Sequence, residues 1–356
     1  MNMNFSKNPI DRLFTNNSAR FMNSTGKDTP WKGLGHELTI GGTPEQHAQE
    51  SHLNFTLEKT HIQFWNGNNE LVDMPDNFVL YRSDTNEALS TVTSKYNEVQ
   101  PLDMLNIFHH VSEIAGFIPM VGGASQGGRK YWILAKLKND TDLDITDKDK
   151  GTAYALMGSS CDKSSSSFIK IVYIREICTN TLTIIQANQT FKIPHSTTFD
   201  AHKIKTKMGF IDEKVHENVN TFRHLHKTSI TMEDATKFFI NLLISPDERK
   251  SQIIDRDKLA SKTRTLNKII ESYQTAPGNE PTLWGAVNAV THAVDYNPSA
   301  RSDDSRLTSA WFATGDTLKS EAYALAQDAT LLDQILGNTQ EKGNLSLSNI
   351  LDMVQL

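Results

Sequence analysis

The patterning of this chain changes period once, and that change limits what it can fold into. Up to about residue 193 the apolar residues alternate or gather in short β-branched and aromatic runs; from about Phe199 they recur at helical spacing. Thr60–Trp65 runs into the turn Asn66-Gly67-Asn68-Asn69, and Phe78–Arg82, Leu89–Thr93, Tyr131–Leu137 and Phe168–Ile177 read as further strands. One helix interrupts them after Pro101, where Leu102, Leu105, Phe108, Val111 and Ala115 repeat with helical period. Later helices are predicted over Met232–Ile244, Lys258–Tyr273, Thr282–Asp295 and Thr317–Leu336, punctuated by Pro246, Pro277-Gly278, Pro281, Pro298 and Gly315. Strands, a helix, more strands and then helices give an α+β fold: an antiparallel β-rich domain with a packed helix, followed by a mostly helical C-terminal region. The expected organisation is a flexible arm over 1–30, an α+β core over 31–198 and the helical region over 199–356.

With 356 residues, each of the two larger parts can bury a core of its own. The two cysteines, Cys161 and Cys178, cannot build a disulfide scaffold or a four-cysteine zinc site, which points to a reducing compartment. No apolar run is long enough to cross a bilayer, and MNMNFSKNPIDRLF lacks the apolar centre of a signal peptide, so a cytoplasmic protein without a membrane partner is expected. The formal net charge is −6. It is unevenly placed: Lys163 to Lys227 holds ten cations against five acids, so that segment is +5 and the remainder −11. The middle of the chain is its basic part.

Within that middle, Gly122 to Lys138 (GGASQGGRKYWILAKLK) admits three readings. Gly123-Ala124-Ser125-Gln126-Gly127 matches G-x-S-x-G, but a nucleophile elbow needs a helix directly after the serine, and glycines, cations and a β-favouring run follow instead. A phosphate loop needs G-K-[ST]; Gly128 is followed by Arg129-Lys130-Tyr131. The reading that survives is a glycine-tipped hairpin whose second strand alternates. Lys130, Trp132, Leu134, Lys136 and Lys138 share one face, and Arg129, Tyr131, Ile133, Ala135 and Leu137 the other. Cations interleaved with an indole suit phosphate neutralisation and base stacking; they equally suit a half-buried strand with solvated lysines.

Metal-ligating patterns are weak. Neither H-E-x-x-H nor zinc-type Cys/His spacing occurs, His109 and Glu113 read as a solvated helix face, and Asp140–Asp147 lacks the glycine and closing glutamate of a calcium loop. No cofactor is expected. In the helix from Thr282, Trp284, Asn288, Thr291 and Asp295 form a polar stripe that reads as packing against a neighbouring element.

Taken in order, several motifs resemble a family of phage- and plasmid-borne proteins known only as phage/plasmid-like proteins. They are Trp31-Lys32-Gly33-Leu34-Gly35, Arg82-Ser83-Asp84-Thr85, Gly127-Gly128-Arg129 with Lys130-Tyr131-Trp132, Cys178-Thr179-Asn180-Thr181-Leu182, and the run from Thr282 through Trp284-Gly285 and Asn288-Ala289 to Asp295. The family's function is unknown. Its strands and packed helix are similar, more distantly, to the ring-forming single-strand annealing proteins of phages. That resemblance implies a homo-oligomer that binds and anneals single-stranded DNA in recombination or replication, with a replication or recombination protein as a further partner. On this reading Arg129, Lys130, Lys136, Lys138, Lys170, Arg175 and the alternating Lys203, Lys205 and Lys207 neutralise the backbone, while Trp132 stacks on bases or braces the groove. Two alternatives stay open: an enzyme of nucleotide or nucleic-acid metabolism with a site near Asp162, Arg175 and Asn180, and a host-interaction module using the N-terminal arm and the helical half.

Overall fold

The computed structural model describes residues 35–336 apart from 139–142, 163, 165–166, 179, 185–190, 194–210, 246–247, 249–255 and 297–299. The expected arm over 1–30 lies outside the described residues, as do Lys203, Lys205 and Lys207.

The elements run β1 (His36–Glu37), α1 (Pro44–Glu50), β2 (Leu57–Trp65), β3 (Leu71–Arg82), β4 (Ala88–Thr93), α2 (Pro101–Ala115), β5 (Phe117–Ser125), β6 (Lys130–Leu137), β7 (Gly151–Ser160), β8 (Ser167–Arg175), β9 (Thr181–Thr183) and β10 (Phe191–Ile193). Helices follow: α3 (Ile211–Lys227), α4 (Met232–Leu243), α5 (Arg256–Thr275), α6 (Leu283–Asp295), α7 (Asp303–Phe312), α8 (Thr314–Gln327) and α9 (Ala329–Leu336). All strand pairings are antiparallel. A large sheet has the order β1-β5-β6-β7-β8-β10, with β9 also on β8; a small sheet has the order β2-β3-β4. The fold is α+β, with its helices concentrated in the C-terminal half.

Local chemistry explains the element boundaries. Pro101 opens α2 at a position where its missing N–H costs nothing, and Gly116, at φ 73°, closes the helix in the left-handed region. Thr231 and Asp234 form a reciprocal capping box at α4, and the Thr282 hydroxyl caps α6 through Gly285 N–H. The single helix expected over Thr317–Leu336 is two helices, because Asp328 leaves helical geometry (φ −83°, ψ 92°). Strand β7 has no clear alternation because every one of its residues is buried, one face on each core.

The large sheet is the middle layer. Tyr131, Ile133 and Ala135 of β6, with Ile169, Ile171 and Tyr173 of β8, enter a core shared with α2, α3, α4 and α6. Trp132, Leu134, Leu156, Phe168 and Val172 point the other way and are covered by Leu307, Ala310 and Trp311 of α7. One continuous cluster joins residues on both sides of residue 199, from Leu38 to Ala326.

Candidate functional site

The hairpin reading of Gly122–Lys138 holds: β5 pairs with β6 from Phe117↔Leu137 to Ser125↔Lys130. Its tip is a 3-10 turn, Gln126–Gly128, with Gly127 at φ 69° and Gly128 at φ 99°. A side chain at Gly127 would strike the Glu87 carboxylate, and one at Gly128 would meet Arg82, so the tip is packed rather than loose. Arg82 holds it from above. Its guanidinium grips Asp84 at 2.9 and 2.7 Å, donates to Gly127 O at 3.2 Å and lies 4.0 Å over the Phe55 ring. Ser125 is buried on this turn, consistent with the failed elbow reading.

The alternation along β6 is real, but its basic face is not an open groove. Trp132 is 1% exposed and meets Trp311 edge-to-face at 4.7 Å. Stacking on bases is therefore unavailable to Trp132, because α7, remote in sequence, covers it. Lys130 is buried, with its ammonium on the Ser164 hydroxyl. Lys170 donates to Trp311 O at 2.8 Å and to Asp316 at 2.5 Å. Arg129 reaches across to Leu89 O at 2.9 Å and ties the two sheets together. Arg175 is buried against Asp149 at 2.7 Å. Trp132, Lys130, Lys170 and Arg175 are engaged inside the protein, which corrects their assignment to a nucleic-acid surface: Lys170 and Arg175 are already ion-paired, and Lys130 and Trp132 are buried. Arg129 is half-buried. Lys138 is exposed and Lys136 half-buried.

Most of the remaining motif residues converge beneath α6 in a buried polar seam. Asp149 accepts from Arg175 on one oxygen and from Trp284 Nε1–H at 2.8 Å on the other. Arg175 also donates to Gly278 O at 3.1 Å. Asn180 Nδ2 donates to Asn288 O at 3.3 Å, and Asp295 accepts from Thr181 N–H at 2.7 Å and from Lys319 at 2.7 Å. The polar stripe of α6 thus packs against β8, β9 and α8, as its spacing suggested. Burial pushes the Asp295 carboxyl up from its ordinary value, with Lys319 pulling the other way. Burial chiefly, aided by the Arg175 charge, lowers His292 to about 4. Burial likewise pushes the Cys161 thiol up to about 12, which leaves it unreactive.

The enzyme grouping of Asp162, Arg175 and Asn180 does not assemble. Gly158 pairs with Phe168 and Gly151 with Arg175, so Asp162 and Arg175 sit toward opposite ends of the β7–β8 ladder. Seven residues of strand separate those pairs by roughly 23 Å. His109 is not a plain solvated residue: its Nε2 contacts His47 Nδ1 at 2.8 Å, and His47 Nε2 contacts Thr39 O at 2.7 Å. Since a carbonyl only accepts, His47 donates to Thr39 and receives from His109. Among the described residues no group of three or more His, Cys, Asp or Glu could hold a metal ion, and no helix is long and apolar enough to cross a membrane.

One surface was missed by the sequence reading. Strand β4 pairs with β3 only from Asn77 to Tyr81, while β2 and β3 continue pairing to Trp65↔Leu71. The β2–β3 hairpin therefore projects about 15 Å beyond its third strand. This β-arm exposes Phe64, Trp65, Leu71, Val72 and Met74, with Trp65 at 69%. Phe64 faces Val72 and Trp65 faces Leu71 in adjacent pairs, so apolar side chains stand on both faces. Ile62 to Asp76 contains Glu70, Asp73 and Asp76 and no Lys or Arg, a formal −3. The sequence signal was present in the run Gln63-Phe64-Trp65 before a turn, but exposure of both faces is a property of the missing third strand.

A family model described as a domain of unknown function, DUF932, matches residues 88–311, more than half of the chain. The comparisons with curated proteins and with solved structures give no match.

Proposed function

We propose, for a chain that belongs to the DUF932 family of unknown function, that it is a binding module that engages a protein partner through the β-arm. The observation that carries this reading is the cluster Phe64, Trp65, Leu71, Val72 and Met74, exposed on a hairpin that projects from the body. Large apolar side chains gathered at one exposed place mark an interaction site. Electrostatics decides between partners. Aromatic side chains could stack on bases, but an arm of −3 repels phosphate, and single-strand binders pair their aromatics with cations. The arm also discourages strand addition: Pro75 lacks a donor, Asp73 and Asp76 place charge along β3, and pairing shifts register between His61 and Gln63. A partner is thus met by side chains rather than by edge pairing.

The test places the photo-crosslinking residue p-benzoylphenylalanine at position 65 in cells that make the protein. A protease-sensitive adduct of higher mass is expected. An adduct to nucleic acid, or none, overturns the reading.

A second reading, binding and annealing of single-stranded DNA by a homo-oligomer of mobile-element origin, is supported by the formal +3 that remains from Lys163 to Lys227 once the ion-paired Lys170 and Arg175 are set aside, and by exposed Lys138. Fluorescence anisotropy on a labelled oligo-dT, titrated with salt, tests it. Tight binding that weakens with salt and with Lys136→Ala/Lys138→Ala supports it, and indifference to the oligonucleotide at low salt overturns it.

A further inference from the structure

We infer that residues 36–52 form an acid-released strap over the edge of the large sheet, latched by two pairs of histidines that hold it only while they are largely uncharged. The strap comprises β1, the turn through Gly42, α1 and His52. It lies on the body by few contacts. Strand β1 pairs with β5 at His36↔Gly122 and Glu37↔Val121, and Leu38 N–H donates to Met120 O at 3.0 Å. Leu38 and Ala48 enter the core, while Ile40 is 70% exposed. A segment anchored by so little apolar area opens at a fraction of the global free energy, so a change of charge is enough to release it.

Histidines supply much of the remaining attachment. His47 is fully buried on α1; its Nε2–H donates to Thr39 O at 2.7 Å, and its Nδ1 accepts from His109 Nε2–H of α2 at 2.8 Å. Thr39 in turn donates its N–H and its hydroxyl to Glu50 at 2.9 and 2.6 Å, closing the turn onto the helix. This pair accommodates one added proton and not two, because a proton on His47 Nδ1 would point at the Nε2–H of His109. At the ends of the strap the His36 and His52 rings meet edge-on with centroids 4.3 Å apart, and two charged imidazoles at that distance repel. The other charged groups are Glu37, Glu45 and Glu50 on the strap and Asp103, His110 and Glu113 on α2; β5 has no ionisable side chain. Burial first, and His47 next, lower His109 from its ordinary value, against the opposing pull of Glu113 and Glu45. Burial chiefly, then His52, lowers His36. A histidine lowered on docking stabilises the docked strap fully above about pH 6.5 and progressively less as pH falls. Release exposes the edge of β5 at Met120, Val121 and Gly122.

Hydrogen exchange read by mass spectrometry at pH 7.5 and pH 5.5, each corrected for the intrinsic rate, tests this on wild type and on His52→Asn/His109→Gln. Glutamine at 109 meets His47 as donor or acceptor and does not titrate, and asparagine suits the left-handed backbone of position 52, at φ 56°. Circular dichroism at both pH values confirms folding, and His52→Asn alone, at an exposed position, replaces the double variant should that fail to fold. In wild type, 36–52 should exchange faster than α6 at both pH values, and its protection should fall about tenfold or more at pH 5.5. The fall should be at least about threefold smaller in the variant. Equal falls in wild type and variant, or protection that does not change with pH, overturn the inference. So does exchange over 36–52 that keeps pace with α6, since the segment would then open only with the whole molecule.

Discussion

The seam beneath α6 and the β-arm are opposite solutions to placing difficult side chains. In the seam, charged and polar groups are taken out of water and matched one to one: Arg175 with Asp149, Lys319 with Asp295, Trp284 with the second oxygen of Asp149. On the arm, apolar groups stand largely in water, with Trp65 opposite Leu71 and Phe64 opposite Val72 across the hairpin. The family match, 88–311, contains the seam apart from Lys319 and excludes the arm, which ends at Arg82. The motif residues of the seam therefore fix a fold, and the surface proposed to choose a partner lies in the segment before the matched region. A motif read as a binding signature can be an architectural one.

The comparison breaks first if the seam is not structural. Lys319→Ala leaves Asp295, fully buried beside Thr181 N–H, without its cation. Stranding a buried charge costs about 3–5 kcal/mol, and urea denaturation should show a midpoint lowered accordingly. A loss below about 1 kcal/mol would mean that water reaches the pair. Trp132→Ala makes the same point on the other sheet face. Removing an indole packed on Trp311 should cost about 3–5 kcal/mol. A stable Trp132→Ala protein with impaired oligonucleotide binding would restore Trp132 to a binding role.

The class of fold was legible because period survives burial on one side. Strand β3 contains the predicted Phe78–Arg82, and α2 begins at Pro101 as its stripe required. Strand β7 was not legible: buried on both faces, Gly151–Ser160 shows no alternation. The sites misread on β6 and β8 failed for a related reason. Alternation correctly sorted Lys130, Trp132 and Lys136 onto one face, but local sequence carries no sign that Trp311, far along the chain, covers it. Polar character at Trp284, Asn288, Thr291 and Asp295 was readable, and so was its need for partners; which partners came only from tertiary contact. The β-arm was predicted as a strand and a turn, yet its exposure depends on where β4 stops.

A smaller effect sharpens the seam by pH. His292 has a folded-state pKa of about 4, lowered mainly by burial and then by Arg175, against 6.5 when unfolded. The unfolded chain thus binds more protons between those values, so stability is complete above about pH 6.5 and declines as pH falls toward 4. At pH 5 the loss is about 2 kcal/mol. Asp295, raised by burial, acts in the opposite direction, so the measurement is the difference between wild type and His292→Gln. The variant's urea midpoint should fall less between pH 7 and pH 5. Parallel declines would show that His292 is solvated and that the seam is open at that end.

The arm supplies the smallest effect on stability and, through it, the sharpest contrast. Trp65 and Leu71 pair across β2 and β3 at the end of the hairpin, and both are exposed in the monomer. Their cross-strand contact is worth a few tenths of a kcal/mol, and exposed substitutions away from special features fall within about 0.5 kcal/mol. Trp65→Ser/Leu71→Ser should therefore leave the urea midpoint of dilute protein nearly unchanged. If the double substitution instead lowers the midpoint of dilute protein by several kcal/mol, the arm is packed against its own body. The two regions would then be two parts of one core, and an arm that binds outward would have to be abandoned.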